Sequence, residues 1–153
     1  MKLFFGRYFS ESISCNPYYK PYCNSYNAKI LGLNSDPDGS TNFEKEKILA
    51  AYLSDMYTLR ISQHELNNFN NPTIQNKDGG SEAWWANIRG DTVEMSFIMD
   101  SDDPDDENYK PPLILPRKEV AYAVEKWIEF LKKEINPEYS EIIDTEDVYK
   151  EVE

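Results

Sequence analysis

Four sets of residues in this 153-residue chain have side chains that could act on another molecule. The single histidine, His64, is followed by Glu65 in "ISQHELNNF", and an imidazole with a carboxylate is the minimum a small hydrolase needs for general-base work. Any Ser-His-Asp or Cys-His arrangement must run through it. No nucleophile-elbow motif accompanies His64, and neighbours in a strand or turn point apart, so a surface histidine is the simpler reading. Cys15 and Cys23 add two thiols, which with His64 make one ligand too few for a structural zinc site. Asn34, Asp36, Asp38 and Gly39 fall at positions 1, 3, 5 and 6 of a calcium loop. The register then fails, because position 12 is Lys45 where a bidentate Glu is required, and Glu44 stands one residue early. A calcium-binding module on residues 34–39 and a small hydrolase using His64 are therefore the alternative readings. No phosphate loop or dinucleotide fingerprint exists among six glycines, so the sequence implies no catalytic residue, no resident metal and no cofactor.

The fourth set is "DSDDPDDE", residues Asp100 to Glu107, with six carboxylates in eight positions and no base among them. A loop needs only a few polar turn residues, and each further like charge adds repulsion. The net charge of −12 is not spread evenly. This block contributes −6, and the segment from Glu138 to Glu153, with seven acids against Lys150, contributes another −6. What remains is formally neutral. Concentrated acidity repels nucleic acid and anionic lipid, both polyanions, and complements a basic protein surface.

The elements that must position these residues follow from hydrophobic spacing. "KLFFGRYF" and "NAKILGL" (Asn27 to Leu33) read as strands. "CNPYYKPYCNSYN" between them reads as an irregular loop, since its prolines rule out a regular element. Its Tyr18, Tyr19, Tyr22 and Tyr26 give that loop more aromatic surface than loops normally carry. A helix starts near Thr41 and Glu44, in capping-box spacing, with Ile48, Leu49, Tyr52, Leu53 and Met56 on one face, and ends near Asp55. "YTLRIS" alternates like a half-buried strand. "EAWWANIRGDTVEMSFIMD" is a hairpin about Gly90-Asp91. Trp84, Ala86, Ile88, Val93, Met95 and Phe97 share its core face, and Trp85, Asn87, Glu94, Ser96 and Ile98 the other. "RKEVAYAVEKWIEFLKKEI" is the strongest helix, stopped by Asn136-Pro137. The expectation is an α+β domain: an antiparallel sheet of about five or six strands with two main helices packed largely on one face. It spans residues 1–137 and is followed by an acidic C-terminal tail, 138–153.

The early helix "EKEKILAAYLSDM", the Trp-bearing hairpin and the proline-led helix "LPRKEVAYAVEKWIEFLKK" together resemble, over about residues 43–135, the small immunity proteins of bacterial polymorphic toxin and contact-dependent growth inhibition systems. The resemblance implies an inhibitor that binds a cognate toxin C-terminal domain, often a nuclease, whose phosphate-binding cleft is a basic surface. It implies no enzymatic activity. The residues agree with a docking role: Asp100, Asp102, Asp103, Asp105, Asp106 and Glu107 would meet the basic surface, and Tyr18, Tyr19, Tyr22 or Trp85 would anchor it. The "MKLFFGRYF" start is too short for a signal core and no membrane-spanning run appears, which places the expected protein in the cytoplasm with its cysteines reduced.

Overall fold

The computed structural model describes residues 1–10, 18–34 and 42–150, with backbone alone at residues 10, 18 and 42. The chain begins with β1 (Lys2–Ser10), which turns Leu3 and Phe5 fully into the core. β2 (Tyr18–Ser25) runs antiparallel to it, from Ser10↔Tyr18 to Leu3↔Ser25. The segment expected to be an irregular tyrosine loop is thus largely a strand. Pro21 is tolerated because β2 is an edge strand, where a missing N–H need not break a ladder on both sides.

The strand expected over residues 27–33 is instead a short helix, α1 (Tyr26–Lys29), followed by a turn. The Ser25 side chain accepts from the Ala28 N–H, and the Glu46 carboxylate accepts from the Asn27 N–H, so the local polar groups close a helical turn. Ile30 and Leu31, which suggested a strand, are exposed. α2 (Asn42–Asp55) buries Leu49, Tyr52 and Leu53 completely, as its spacing predicts, and Thr41 of the expected capping box lies outside the described residues.

The predicted strand at "YTLRIS" is the start of a helix, α3 (Leu59–Phe69), capped by Thr58, whose hydroxyl accepts from the Ile61 N–H. The alternating Tyr57, Leu59 and Ile61 are all exposed. The buried face is Ser62, Glu65, Leu66 and Phe69, a helical spacing hidden because two of its four members are polar.

Next come β3 (Asn76–Lys77), β4 (Trp84–Arg89), β5 (Thr92–Phe97), β6 (Leu113–Pro116), α4 (Arg117–Lys132), β7 (Glu141–Asp144) and a 3-10 helix (Thr145–Tyr149). The fold is α+β with three main helices, and its strands divide into two antiparallel sheets, ordered β2-β1-β7 and β3-β4-β5-β6. α2 and α4 are the elements both sheets share. α2 packs chiefly on β2 and also meets β5 and β6, while Trp127 of α4 packs edge-on against Phe5 of β1 at 5.2 Å. The Trp127 indole N–H donates to the Met56 carbonyl at 2.8 Å, pinning α4 to the end of α2.

The acidic segment beyond residue 137, expected to trail the domain, takes part in the fold through residue 150. β7 pairs with β1 from Phe5↔Glu141 to Lys2↔Asp144, and Thr145 is fully buried. Glu119 of α4 accepts from the Thr145 hydroxyl at 2.6 Å and from the Tyr149 hydroxyl at 3.1 Å. Ile143 packs against the core while Ile142 is exposed, the alternation of a sheet with one covered face.

Candidate functional site: an anionic and aromatic face

The hairpin of β4 and β5 sets the site. Arg89 pairs with Thr92 across the two-residue turn, where Gly90 takes φ of +62°. Strand alternation then sends Trp84 inward, its ring 5.0 Å from that of Phe97, and Trp85 outward, where 42% of its surface is exposed. The preceding loop holds β4 from outside: the Ala86 N–H donates to the Gly79 carbonyl at 2.8 Å, and Gly80, at φ +143°, lies so close that an added Cβ would strike the Trp84 carbonyl. Only glycine fits there. Ile114 of β6, paired opposite Glu94, adds an exposed apolar side chain to the same open face, two strands away from Trp85.

Phe97 leads into the acidic loop, which is ordered by its own side chains. The Asp100 N–H donates to the Phe97 carbonyl, and Ser101 and Tyr109 form a parallel bridge across the loop's base. Within it, the Asp103 carboxylate accepts from the Asp105 N–H at 3.0 Å and the Asp106 carboxylate from the Asn108 N–H at 2.9 Å, two Asx turns in series. Asp102, Asp103, Asp105, Asp106 and Glu107 are exposed. Among the described residues no ion pair involves any acid from Asp100 to Glu107.

Trp85, Glu94, Ile98, Asp100, Asp102 and Tyr109 line a groove of about 390 Å³ between the sheet and the loop. The structure therefore brings Trp85 together with Asp100 and Asp102, and it carries Asp103, Asp105, Asp106 and Glu107 on the same loop. It does not bring the tyrosines there. Tyr19 and Tyr22 belong to β2 of the other sheet. Tyr19 is exposed against Phe9 at 5.6 Å, and Tyr22 is half-buried between Phe4 and Tyr8, with the Lys29 ammonium 5.5 Å from its ring. Tyr18 opens β2 opposite Ser10, and its side chain lies outside the described residues. Ile114 and Tyr109 escaped sequence reasoning; the β6 alternation was the available signal for the first, and none existed for the second.

The residues weighed for other chemistry are placed differently. His64 and Glu65 are neighbours on α3, with His64 exposed and Glu65 buried, so they do not face one another. Glu65 accepts from the Tyr52 hydroxyl at 2.9 Å; burial pushes its carboxyl above the usual range, opposed by that hydrogen bond. The Cys23 thiol is buried, which raises its pKa well above the usual value, with the Glu46 charge adding to the effect. Cys15 lies outside the described residues, as do residues 35–39 of the calcium-loop reading, while Asn34 is exposed. Among the described residues no three His, Cys, Asp or Glu side chains converge as a metal site would need.

Two segments carry equal net charge in the sequence, but the structure treats them differently. In the C-terminal one, Glu141 pairs with Lys133 at 2.6 Å and Asp147 with Lys150 at 3.1 Å. The loop's acids have no such cations and stand next to an exposed tryptophan.

The site is thus an α+β domain's anionic loop, an exposed aromatic side chain and a groove between them. The chain belongs to a family of unknown function, DUF5376, whose model matches residues 1–149. Among its relatives is UPF0275 protein PM0505 of Pasteurella multocida strain Pm70, 36% identical over 72% of this chain and 84% of that protein. UPF0275 protein PM0504 of the same strain is 33% identical over 72% of this chain and 82% of its own length. UPF0275 protein PM0493, again from Pm70, is 28% identical over 97% of this chain and 99% of its own. No solved structure matches the chain.

Proposed function

We propose that the protein is an immunity protein, which binds and neutralises a cognate toxin C-terminal domain by docking on its basic surface. The observation that carries this reading is the loop of six acids without ion-pair partners beside exposed Trp85. Such a loop is costly for a protein that never meets a cation, because like charges held close repel one another whatever the solvent. Opposite a nuclease cleft the same charges steer encounter and cover the groups that would hold phosphates. Trp85 and Ile114 supply apolar area that can be desolvated, which holds a complex that steering alone does not. A further support is that one genome, that of Pasteurella multocida Pm70, holds several diverged relatives, 36%, 33% and 28% identical to this chain. Several related copies in one genome suit a protein matched to several different partners. The reading places the protein in the cytoplasm, without a nucleic-acid or membrane partner of its own; among the described residues no helix is long and apolar enough to cross a membrane.

The test uses the C-terminal domain of the secreted protein that this reading expects to be encoded beside this chain. Co-expression protects the host cell, and the purified pair associates faster at low salt than at high salt. Replacing Asp102, Asp103, Asp105 and Asp106 by Asn keeps the Asx-turn acceptors and removes four charges. That variant associates about 10-fold or more slowly at low salt, with a flatter salt dependence. Absence of a complex, or association unaltered in the variant, refutes the proposal.

A further inference from the structure

Behind the acidic loop, on the side of the four-stranded sheet that faces the helices, coverage is incomplete. α2 packs chiefly on β2, and between it and the far end of β4, β5 and β6 opens a cleft of about 630 Å³. Ile48 and Ala51 of α2 form one wall, Trp84, Phe97 and Leu113 the other, and Met95, fully buried, lies at its base. This is core-facing surface of both elements left accessible, the property of a groove that receives something apolar.

Its position says what. Asp100 lines both this cleft and the groove containing Trp85, as do Ser96, Phe97 and Lys110, so the two concavities adjoin on either side of the acidic loop's base. Asp100 lines the cleft together with Glu44, Lys47 and Lys110, two acids against two cations, and the loop's other five carboxylates stand beyond the loop's base, so the approach from the loop side is net negative. An acidic segment is repelled there, while a basic one is drawn in.

We propose that the cleft between α2 and the four-stranded sheet is an anchoring pocket for one large apolar side chain, carried on a Lys- or Arg-bearing segment of the protein partner. This rests on the docking function proposed above and adds to it a second, apolar contact point. The loop sets how fast the partner arrives, and the cleft sets how long it stays.

Two substitutions test it. Ala51→Trp fills the cleft from within, and Lys47→Trp, at an exposed helical position on the rim, covers its mouth. In stopped-flow and surface-binding measurements with the toxin domain, both dissociate about 10- to 100-fold faster than the unmodified protein while associating at nearly the same rate. Lys47→Trp keeps the unfolding midpoint, so its effect is not a folding defect. If the folded Lys47→Trp variant dissociates at the original rate, the pocket is not used. In that case the Asn-substituted loop still slowing association would leave the docking function standing, whereas absence of any toxin complex removes both proposals. Saturable binding of a neutral apolar fluorophore combined with unaltered toxin dissociation would reassign the cleft to a small ligand. Concentration-dependent dimerisation abolished by Ala51→Trp, with unaltered toxin dissociation, would reassign it to a second copy.

Discussion

Arg117 makes the most demanding prediction about what holds the site in place. It is the first residue of α4, buried, and all five N–H donors of its guanidinium are engaged. Nε donates to the Phe69 carbonyl at 2.9 Å; one terminal nitrogen reaches Ile74 and Gly90 at 2.7 and 3.1 Å, and the other Asn68 and Asn71 at 3.2 and 2.9 Å. One side chain thus closes the C-terminal end of α3, the loop after it, and the hairpin turn that fixes the register of Trp85. The cation also faces the negative end of the α3 dipole. Arg117→Met retains most of the stem and removes every donor. A hydrogen bond to a charged group is worth about 1.5–3 kcal/mol, but the five are not additive, and water can reach some of the freed carbonyls from the adjoining surface concavity. The expected loss is about 3–5 kcal/mol, as for other broken buried charge networks, or roughly 6–20 °C in midpoint for a domain of this size. Arg117→Lys keeps the charge and at most three donors without the planar fork, so it falls between the two. Urea and thermal unfolding followed by tryptophan fluorescence measure both. A loss below about 1 kcal/mol for Arg117→Met, or a lysine as good as arginine, would show that the fork geometry is not what joins these segments.

Trp85→Ala should weaken toxin binding by about 2 kcal/mol or more, roughly 30-fold, while changing stability by less than about 1 kcal/mol, because the side chain is substantially exposed; unchanged affinity in titration calorimetry refutes the anchor role. Glu65 has a folded-state pKa above its ordinary 4.5, so the folded chain holds more protons than the unfolded one as pH rises from that value. Its contribution is greatest at acid pH and is lost as pH rises through the folded pKa. Denaturant unfolding across a pH series should therefore show a flatter profile for Glu65→Gln than for the unmodified protein, and parallel profiles would refute the burial argument. Cys23, buried and with its thiol pKa raised, should resist alkylation in the folded protein and react once denaturant is added. Peptide mapping by mass spectrometry reads this directly, and labelling of Cys23 at the rate of a free thiol under native conditions would contradict the packing of β2 on α2.

The parts of the fold that were legible from the sequence are those whose buried faces are apolar throughout. α2, α4 and the β4–β5 hairpin announce themselves because Leu49, Tyr52 and Leu53, then Val120, Ala123 and Trp127, then Ala86, Ile88, Val93 and Met95, are the residues that lose their solvent. α3 escapes hydrophobic spacing because its buried stripe includes Ser62, whose hydroxyl donates to the Met56 carbonyl, and Glu65, which accepts from Tyr52. Polar groups satisfied by tertiary hydrogen bonds carry no hydrophobic signal. β2 is hidden because proline rules assume a strand with neighbours on both sides, and only the topology reveals that this strand has one. Trp85 on an open face was legible by simple alternation. That it would share a groove with Asp100 and Asp102, and that Tyr19 and Tyr22 would sit on a different sheet, depends on strand order, which spacing along the chain does not encode.

Charge counting gave the loop and the C-terminal segment the same value, and treating them alike would have missed how differently they are built. The second is spent internally: Glu141 meets Lys133 beside the Tyr139 hydroxyl, Asp144 caps the 3-10 helix by accepting from the Glu146 N–H, and β7 anchors the segment to β1. Within the described residues Glu141, Asp144 and Asp147 of this segment each face a cation of the chain itself. The loop's carboxylates are ordered without being compensated. Asp103 and Asp106 accept backbone N–H groups that close turns, which removes conformational freedom from the loop but leaves the net negative charge in place. Such a loop forfeits little entropy on binding and gains attraction from each cation it meets. A solubilising segment needs charge but not order, and a structural segment needs order but not uncompensated charge. Having both, next to an exposed tryptophan, is what separates this loop from every other acidic stretch described in the chain.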